Sequence, residues 1–366
     1  MEDTRQLIEE KIRQNRKSRD EMLSTIVSGE AIAFVGAGLS VPLKFPLWEG
    51  LLKDLRNQAN KLAPLTLDPA VEADALRYAD AIKTHFVAQK QEDLYYEILG
   101  RGFQPKPGGN HTATHKLLIG LPFCGFVTPN YETCLESAMQ AAAAGSCPEP
   151  SITVKKDCRD RHRVSAFLRS LTVTGGPRYV AHLHGRFDDT RNMILTGKDY
   201  DEAYGIGSAN EAQVVPDKTT LHRMLAWALF ASRRMVFVAC SMTDPSILFL
   251  LKAVRRDLWE MSEKNHYVIL GLDEKGLRSA DAIAGMCDRH GLQVVYYDNH
   301  DGSHLGLEQL LREAIAMVPA SPAGASVPAP ATAAPAAPPA MAPLAGSNSV
   351  SWLEEANQRN TPKLDE

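Results

Sequence analysis

The sequence predicts an α/β protein: a parallel sheet with helices on both of its faces. Three observations carry that expectation. Short runs of apolar, β-suited residues recur at 31–35, 123–128, 179–183, 235–239, 266–270 and 292–297. Stretches of helical apolar spacing separate them, and strand–helix alternation is the signature of a parallel sheet. Four of the runs end in a polar loop: Gly36-Ala37-Gly38-Leu39-Ser40, Thr128-Pro129-Asn130-Tyr131-Glu132, His182-Leu183-His184-Gly185 and Ser241-Met242-Thr243-Asp244-Pro245. Loops gathered at the carboxyl ends of parallel strands are where open, Rossmann-like sheets bind nucleotides.

In chain order, residues 1–28 carry Leu7, Ile8, Ile12, Met22, Leu23 and Ile26 in a loosely amphipathic pattern, read as one N-terminal helix that Ser28-Gly29 stops. A single nucleotide-binding domain is expected over 29–318. Its segment 41–46 is irregular, because Pro42 and Pro46 break regular structure. A helical block at about 48–120 then interrupts the alternation and reads as a small lobe over the pocket. Within it Trp48, Leu51, Leu52 and Leu55 recur at helical spacing. Asp68-Pro69 looks like an N-cap with proline at the first helical position, opening a helix that carries Val71, Ala75, Tyr78 and Ile82. Asn110 or Thr112 caps the helix containing Leu117, Leu118 and Leu121.

Residues 131–144 return as a helix. The polar stretch 145–177 has no clear period and is expected to be a surface insertion, and 193–195 reads as a further short strand. Trp227 lies on the apolar side of a helix at 221–232. Helices at 245–255, 275–290 and 305–317 then alternate with the last strands. Beyond Val318 the composition changes to Ala, Pro, Gly, Ser and Val, too poor in large apolar groups to build a core. Residues 319–346 are therefore read as a disordered Ala/Pro-rich linker and 347–366, with Trp352, as a short C-terminal tail.

Composition bounds the function. The 366 residues are 44% hydrophobic and 23% charged, enough for a sizeable core. A formal net charge of -4 offers no basic field, so direct nucleic-acid binding is not indicated. No apolar run approaches the ~20 residues that span a bilayer, and the charged start lacks a signal core. A cytoplasmic protein is the expectation. Of the six cysteines none forms a Cys-x-x-Cys pair, and Cys124, Cys134 and Cys240 sit in apolar surroundings that suit reduced thiols. Cys147 and Cys158 share a polar segment, but a reducing compartment disfavours their pairing.

The motifs are weak one by one. Gly36-Ala37-Gly38-Leu39-Ser40-Val41 fits only the front half of G-x-G-x-x-G, with Val41 in the third glycine position. The region where a dinucleotide-reading acid would follow reads as helix, which disfavours hydride transfer. A phosphate site and a plain tight turn fit the glycines equally. Asn130 alone is a candidate cap, and His184 alone a satisfied interior histidine. His182 with His184, or His111 with His115, has no completing ligand, so no metal is assigned.

Their order is specific. Gly-Ala-Gly-x-Ser, Thr-x-Asn-Tyr, His-Gly and Ser-x-x-Asp-Pro, each after a strand, resemble the sirtuin family over about 31–310. Within it the pattern is most similar to the sirtuin-like NAD hydrolases of bacterial anti-phage defence systems. The resemblance implies that Gly36, Ala37, Gly38 and Ser40 hold the dinucleotide phosphates and that Thr128 also lines the cofactor site. It implies Asn130 beside the nicotinamide ribose, His184 as the catalytic histidine, and Ser241 and Asp244 at the nucleotide end. NAD is then the substrate, cleaved to nicotinamide and ADP-ribose. The implied setting is a homo-oligomer, with a helicase-like ATPase or an Argonaute-type protein as possible partner and no membrane. The four-cysteine zinc module of protein-deacetylating sirtuins is missing between Gly185 and Ala239, and Thr196-Gly197-Lys198 stands where a Phe-Gly-Glu-type motif belongs. Deacylation is therefore disfavoured. A non-catalytic sensor of NAD or ADP-ribose and an ADP-ribosyltransferase remain the alternatives.

Overall fold

Among the described residues seven strands form the sheet: β1 Ala31–Val35, β2 Gly125–Thr128, β3 Ser151–Thr153, β4 Val180–His182, β5 Arg234–Val238, β6 His266–Leu272 and β7 Leu292–Asp298. Their spatial order is β3-β4-β2-β1-β5-β6-β7, and every ladder is parallel. The α/β expectation is met. The computed structural model describes residues 2–106, 110–143, 151–172, 177–205, 220–242, 244–258 and 266–319. They all belong to one compact unit, Met1–Pro319. The expected Ala/Pro-rich linker past Pro319 and the tail with Trp352 lie outside the described residues.

Both faces of the sheet are buried, which is why its strands read as continuous apolar runs rather than alternating ones. Alternate side chains serve different layers. Ile32, Phe34, Met235, Phe237, Val268 and Val294 join one apolar cluster with Leu229, Phe230, Leu250 and Tyr204. Ala33, Val35, Val236, Val238, Ile269 and Val295 join the other with Leu118, Leu135, Leu310 and Leu311. A third cluster, including Leu51, Leu55, Ile82, Phe86 and Tyr95, is the core of the helical lobe. The helices Trp48–Leu62, Ala75–Ala88 and Glu92–Gly102 supply it. The helix Ala113–Gly120 instead buries Leu118 and Ile119 in the sheet's own layer.

Several expectations change in detail. The N-terminal stretch is two helices, Glu2–Gln14 and Arg16–Val27, parted at Asn15. Asp68 does cap, accepting from the Ala70 amide at 2.7 Å, but its helix is only Pro69–Glu72. Asp74 restarts the chain by accepting from the Leu76 and Arg77 amides, and Ala75, Tyr78 and Ile82 belong to that second helix. Thr112, not Asn110, caps the helix that follows.

The described part of 145–177 is not a surface insertion. It gives the edge strand β3, the helix Arg161–Ser170 and a fully buried Phe167. Residues 193–195 form no strand, although all three are buried. The Ile194 amide bonds the His184 carbonyl at 2.8 Å, and Met193 and Leu195 pack into the lobe. Cys124, Cys134, Cys158, Cys240 and Cys287 are free thiols, and Cys147 lies outside the described residues.

Candidate functional site

Strand order sets the site's position. From β1 the chain goes to β2 on one side, and it later returns to β5 on the other. Loops leaving the carboxyl ends of such strands diverge and leave a crevice. Here the crevice is a cavity of about 640 Å³, inside the range that holds a small ligand. Gly36, Ala37, Ser40, Asn130, His184, Ser241 and Asp244 all line it. Phe45, Trp48, Leu51 and Phe103 of the lobe region form its other wall. Its charged and histidine lining among the described residues is Glu49, Asp74, Glu132, His184 and Asp244, with no lysine or arginine among them.

The glycine loop is built against β5. The Gly36 amide donates to Val238 O at 2.9 Å and the Gly38 amide to Ala239 O at 3.2 Å. Both donors are thus spent on protein carbonyls. Ala37 is exposed at the head of a 3-10 turn, Ala37–Leu43, and lines the cavity beside Gly36 and Ser40. Gly38 is exposed beside Ala37 in the same loop and is not among the residues that line the cavity. Thr128 does not line it either. Its Oγ1 donates to Val35 O at 2.7 Å and accepts the Asn130 amide at 3.0 Å, so it ties β2 to β1 and shapes the next loop.

Asn130 does not cap a helix; Thr133 holds the N-cap position. Its Nδ2 donates to Glu132 Oε1 at 2.8 Å, the oxygen that also accepts from Ser40 Oγ at 2.5 Å. Glu132 Oε2 accepts the Cys134 amide at 2.8 Å. Because a carboxylate only accepts, this buried acid fixes which end of the Asn130 amide is the donor. Glu132 escaped the sequence reading as a site residue, although it stands in the quoted motif. An acid two positions after an asparagine carries no spacing signal.

Behind the loop, His182 is fully buried and pairs Nε2 with Glu136 Oε1 at 2.7 Å, while its Nδ1 meets Asn130 O at 3.0 Å. Burial alone would lower its pKa, but the charge and hydrogen bond of Glu136 raise it above the ordinary 6.5. His182 is therefore a brace and not a ligand-facing group.

His184 follows β4 and is 3% exposed. Tyr200 and Tyr204, on the helix Gly197–Tyr204, meet its ring edge-on at centroid distances of 5.3 and 6.0 Å. Burial pushes its pKa below the usual 6.5, against the pull of Asp244. A buried histidine held neutral is a proton acceptor at physiological pH. Thr196-Gly197-Lys198 opens that helix: Thr196 and Asp199 form a capping box there.

After β5 the backbone turns through positive φ at Ala239 and Met242. Asp244 then caps the helix Pro245–Asp257 through the Ser246 amide at 2.8 Å. Thr243 lies outside the described residues. Among the described residues no group of three or more His, Cys, Asp or Glu is placed to hold a metal. His115 binds Thr112 through Nδ1, and His111 binds Ser137 at 2.9 Å. No helix of the described residues is long and apolar enough to cross a membrane.

A seven-stranded parallel sheet with a loop-lined cavity at its carboxyl edge defines a Rossmann-like α/β protein. Comparison narrows the class: residues 125–287 match the family model of the SIR2-like domain. The chain is 26% identical over 250 residues to the NAD(+) hydrolase ThsA of Acinetobacter baumannii (strain 532279), covering 68% of this chain and 44% of that one. It is 24% identical to the NAD(+) hydrolase ThsA of Bacillus cereus (strain MSX-D12), over 68% and 45% of the two chains. The Enterococcus faecium protein of the same name is 25% identical over 67% and 44%. The resemblance to the sirtuin family holds, and this chain spans less than half the length of these relatives.

Proposed function

We propose that this chain is an NAD+ hydrolase that cleaves the nicotinamide–ribose bond to give nicotinamide and ADP-ribose. The observation that carries the reading is that Asn130 and His184, 54 positions apart in the sequence (184 − 130), line one cavity together with Ala37 and Ser241. The named activity of the relatives supports it. Ala37, Ser241 and the walls of the cavity would seat the dinucleotide, and Gly36 and Gly38 serve by letting the β1 loop lie against β5.

Loss of neutral nicotinamide leaves an oxocarbenium-like ribose, as in glycoside cleavage, so no strong general acid is required. Water adds to the anomeric carbon, the C–N bond electrons leave with nicotinamide, and the water proton passes to a base. Neutral His184 suits that base. Asn130, held by Glu132 at its amide nitrogen, presents its carbonyl oxygen to order the ribose or the water. Positioning of this kind supplies several kcal/mol of barrier reduction.

The test is nicotinamide release from NAD by wild type, Asn130→Ala and His184→Ala. Each variant is expected to lose at least ~100-fold in turnover with an unchanged melting transition. Wild-type rates in both variants overturn the mechanism. The same reading extends to a cytoplasmic, NAD-depleting effector of anti-phage defence that works as a homo-oligomer, with or without a helicase-like ATPase or Argonaute-type partner. Solution mass is the measurement that decides the assembly.

A further inference from the structure

We infer that Asp244 is a positioning residue for His184, selecting the ring tautomer and holding the imidazolium that forms when the ring takes a proton. This rests on the hydrolase reading above, where the family pattern placed Asp244 only at the nucleotide end of the site. The argument starts from one hydroxyl hydrogen. Ser246 Oγ donates to Asp244 Oδ1 at 2.6 Å and lies 3.3 Å from His184 Nε2. A serine has one hydrogen to give, and the shorter contact to the carboxylate claims it. The long contact to His184 then requires Nε2 to be the donor, so the neutral ring carries its proton on Nε2. Its lone pair is on Nδ1.

That nitrogen faces Asp244 Oδ2 at 3.7 Å. The separation is too long for a hydrogen bond and short for a charge interaction. With Nδ1 unprotonated the contact is not attractive; with a proton on Nδ1 it becomes an ion pair between a buried ring and a part-buried carboxylate. Asp244 thus opposes the effect of burial on the ring and becomes more favourable as the proton arrives, which is differential stabilisation of the protonated state. The carboxylate is itself fixed. Oδ1 accepts from Ser246 Oγ and the Ser246 amide, and Oδ2 accepts from Tyr200 OH at 3.2 Å.

The other titratable groups around the ring are Tyr200 and Tyr204 on one helix and His222 at the start of the helix Leu221–Ser232. Neither tyrosine is ionised near neutrality, since burial pushes both well above 10. Burial likewise holds His222 neutral, at about 3. Asp244 is therefore the charge that acts on His184 at working pH.

The test compares Asp244→Asn and Asp244→Ser with wild type, full chain, by two readouts. Both substitutes retain a side-chain oxygen that caps a helix. The His184 pKa is read by NMR of histidine-labelled protein, without substrate. The expected result is a fall of about one unit or more in both variants. The pH profile of kcat/KM should move its acid limb downward by the same amount, while kcat at neutral pH drops about tenfold or more with KM nearly unchanged. A raised KM with an unmoved His184 pKa overturns the proposal and returns Asp244 to ligand binding. Absence of NAD cleavage by the wild type, with the pKa fall still seen, sinks the hydrolase reading and leaves the Asp244–His184 coupling in place.

Discussion

Gly36 is a glycine because of what lies opposite it. A β-carbon there would stand 2.4 Å from Ala239 O and 2.8 Å from Cys240 Sγ, and one at Gly38 would stand 2.9 Å from the same carbonyl. The φ of Gly36 is -92°, open to any residue, so the demand is steric and not conformational. Backbone cannot yield as a side chain can. Gly36→Ala is expected to lower stability by about 1–3 kcal/mol, read as a fall in urea midpoint. Gly50→Ala is the matched control: it sits in the helix Trp48–Leu62 with nothing within 4 Å of an added β-carbon. It should raise stability by up to ~1 kcal/mol. Equal effects at the two positions would refute the packing argument. At this scale the sequence was half legible. Asn130, His184, Ser241 and Asp244 reach the cavity because all four sit in loops at the carboxyl ends of parallel strands, around the crevice those loops leave. The reason for the glycines, and the Glu132 hub joining Ser40 to Asn130, depend on contacts across scores of positions that no local pattern encodes.

One buried pair joins three elements. Glu136 on the helix Cys134–Ala142 binds His182 at the end of β4, and His182 binds the backbone of the Asn130 loop after β2. Burial would raise the Glu136 pKa, but His182 and then Arg186 outweigh it and hold it below the usual 4.5. The signs follow. The histidine, raised above 6.5, contributes stability that is complete below that value and is lost as pH rises through its folded pKa. The carboxylate, lowered, contributes above 4.5 and loses it as pH falls through its folded value. Glu136→Gln should therefore cost most between these values, about 3 kcal/mol, with the deficit shrinking on the alkaline side. Urea midpoints of both proteins across pH check it, and a deficit that grows above pH 8 would contradict the pairing. Elements were legible where both sheet faces bury apolar runs of useful length. The three-residue β3 gave too short a signal within a polar stretch. The equally short 193–195 run gave a strand's signal and packs as buried loop, because apolar composition reports burial and not strand pairing.

At the scale of the whole molecule, the N-terminal helices decide what the chain start is for. Their packing argues for a structural role rather than an arm over the pocket. Ile8 of Glu2–Gln14 is buried in the cluster on one face of the sheet, while Met22, Leu23 and Ile26 of Arg16–Val27 are buried in the cluster on the other. Both helices pack against β7, and the break at Asn15 lets one segment serve two faces that a continuous helix cannot reach. Lys11 pairs with Asp281 and Arg19 with Glu313, anchoring each helix to the layer it joins. Four buried apolar side chains are worth about 1.5–3 kcal/mol each, a sum comparable to the ~5–15 kcal/mol stability of a typical domain. Removal of residues 1–27 should thus abolish cooperative unfolding or drop the melting temperature by more than about 15 °C, with activity lost alongside structure. A truncated protein that melts like the full chain yet hydrolyses NAD at a changed rate would show the opposite: helices that regulate the pocket and do not hold the sheet together.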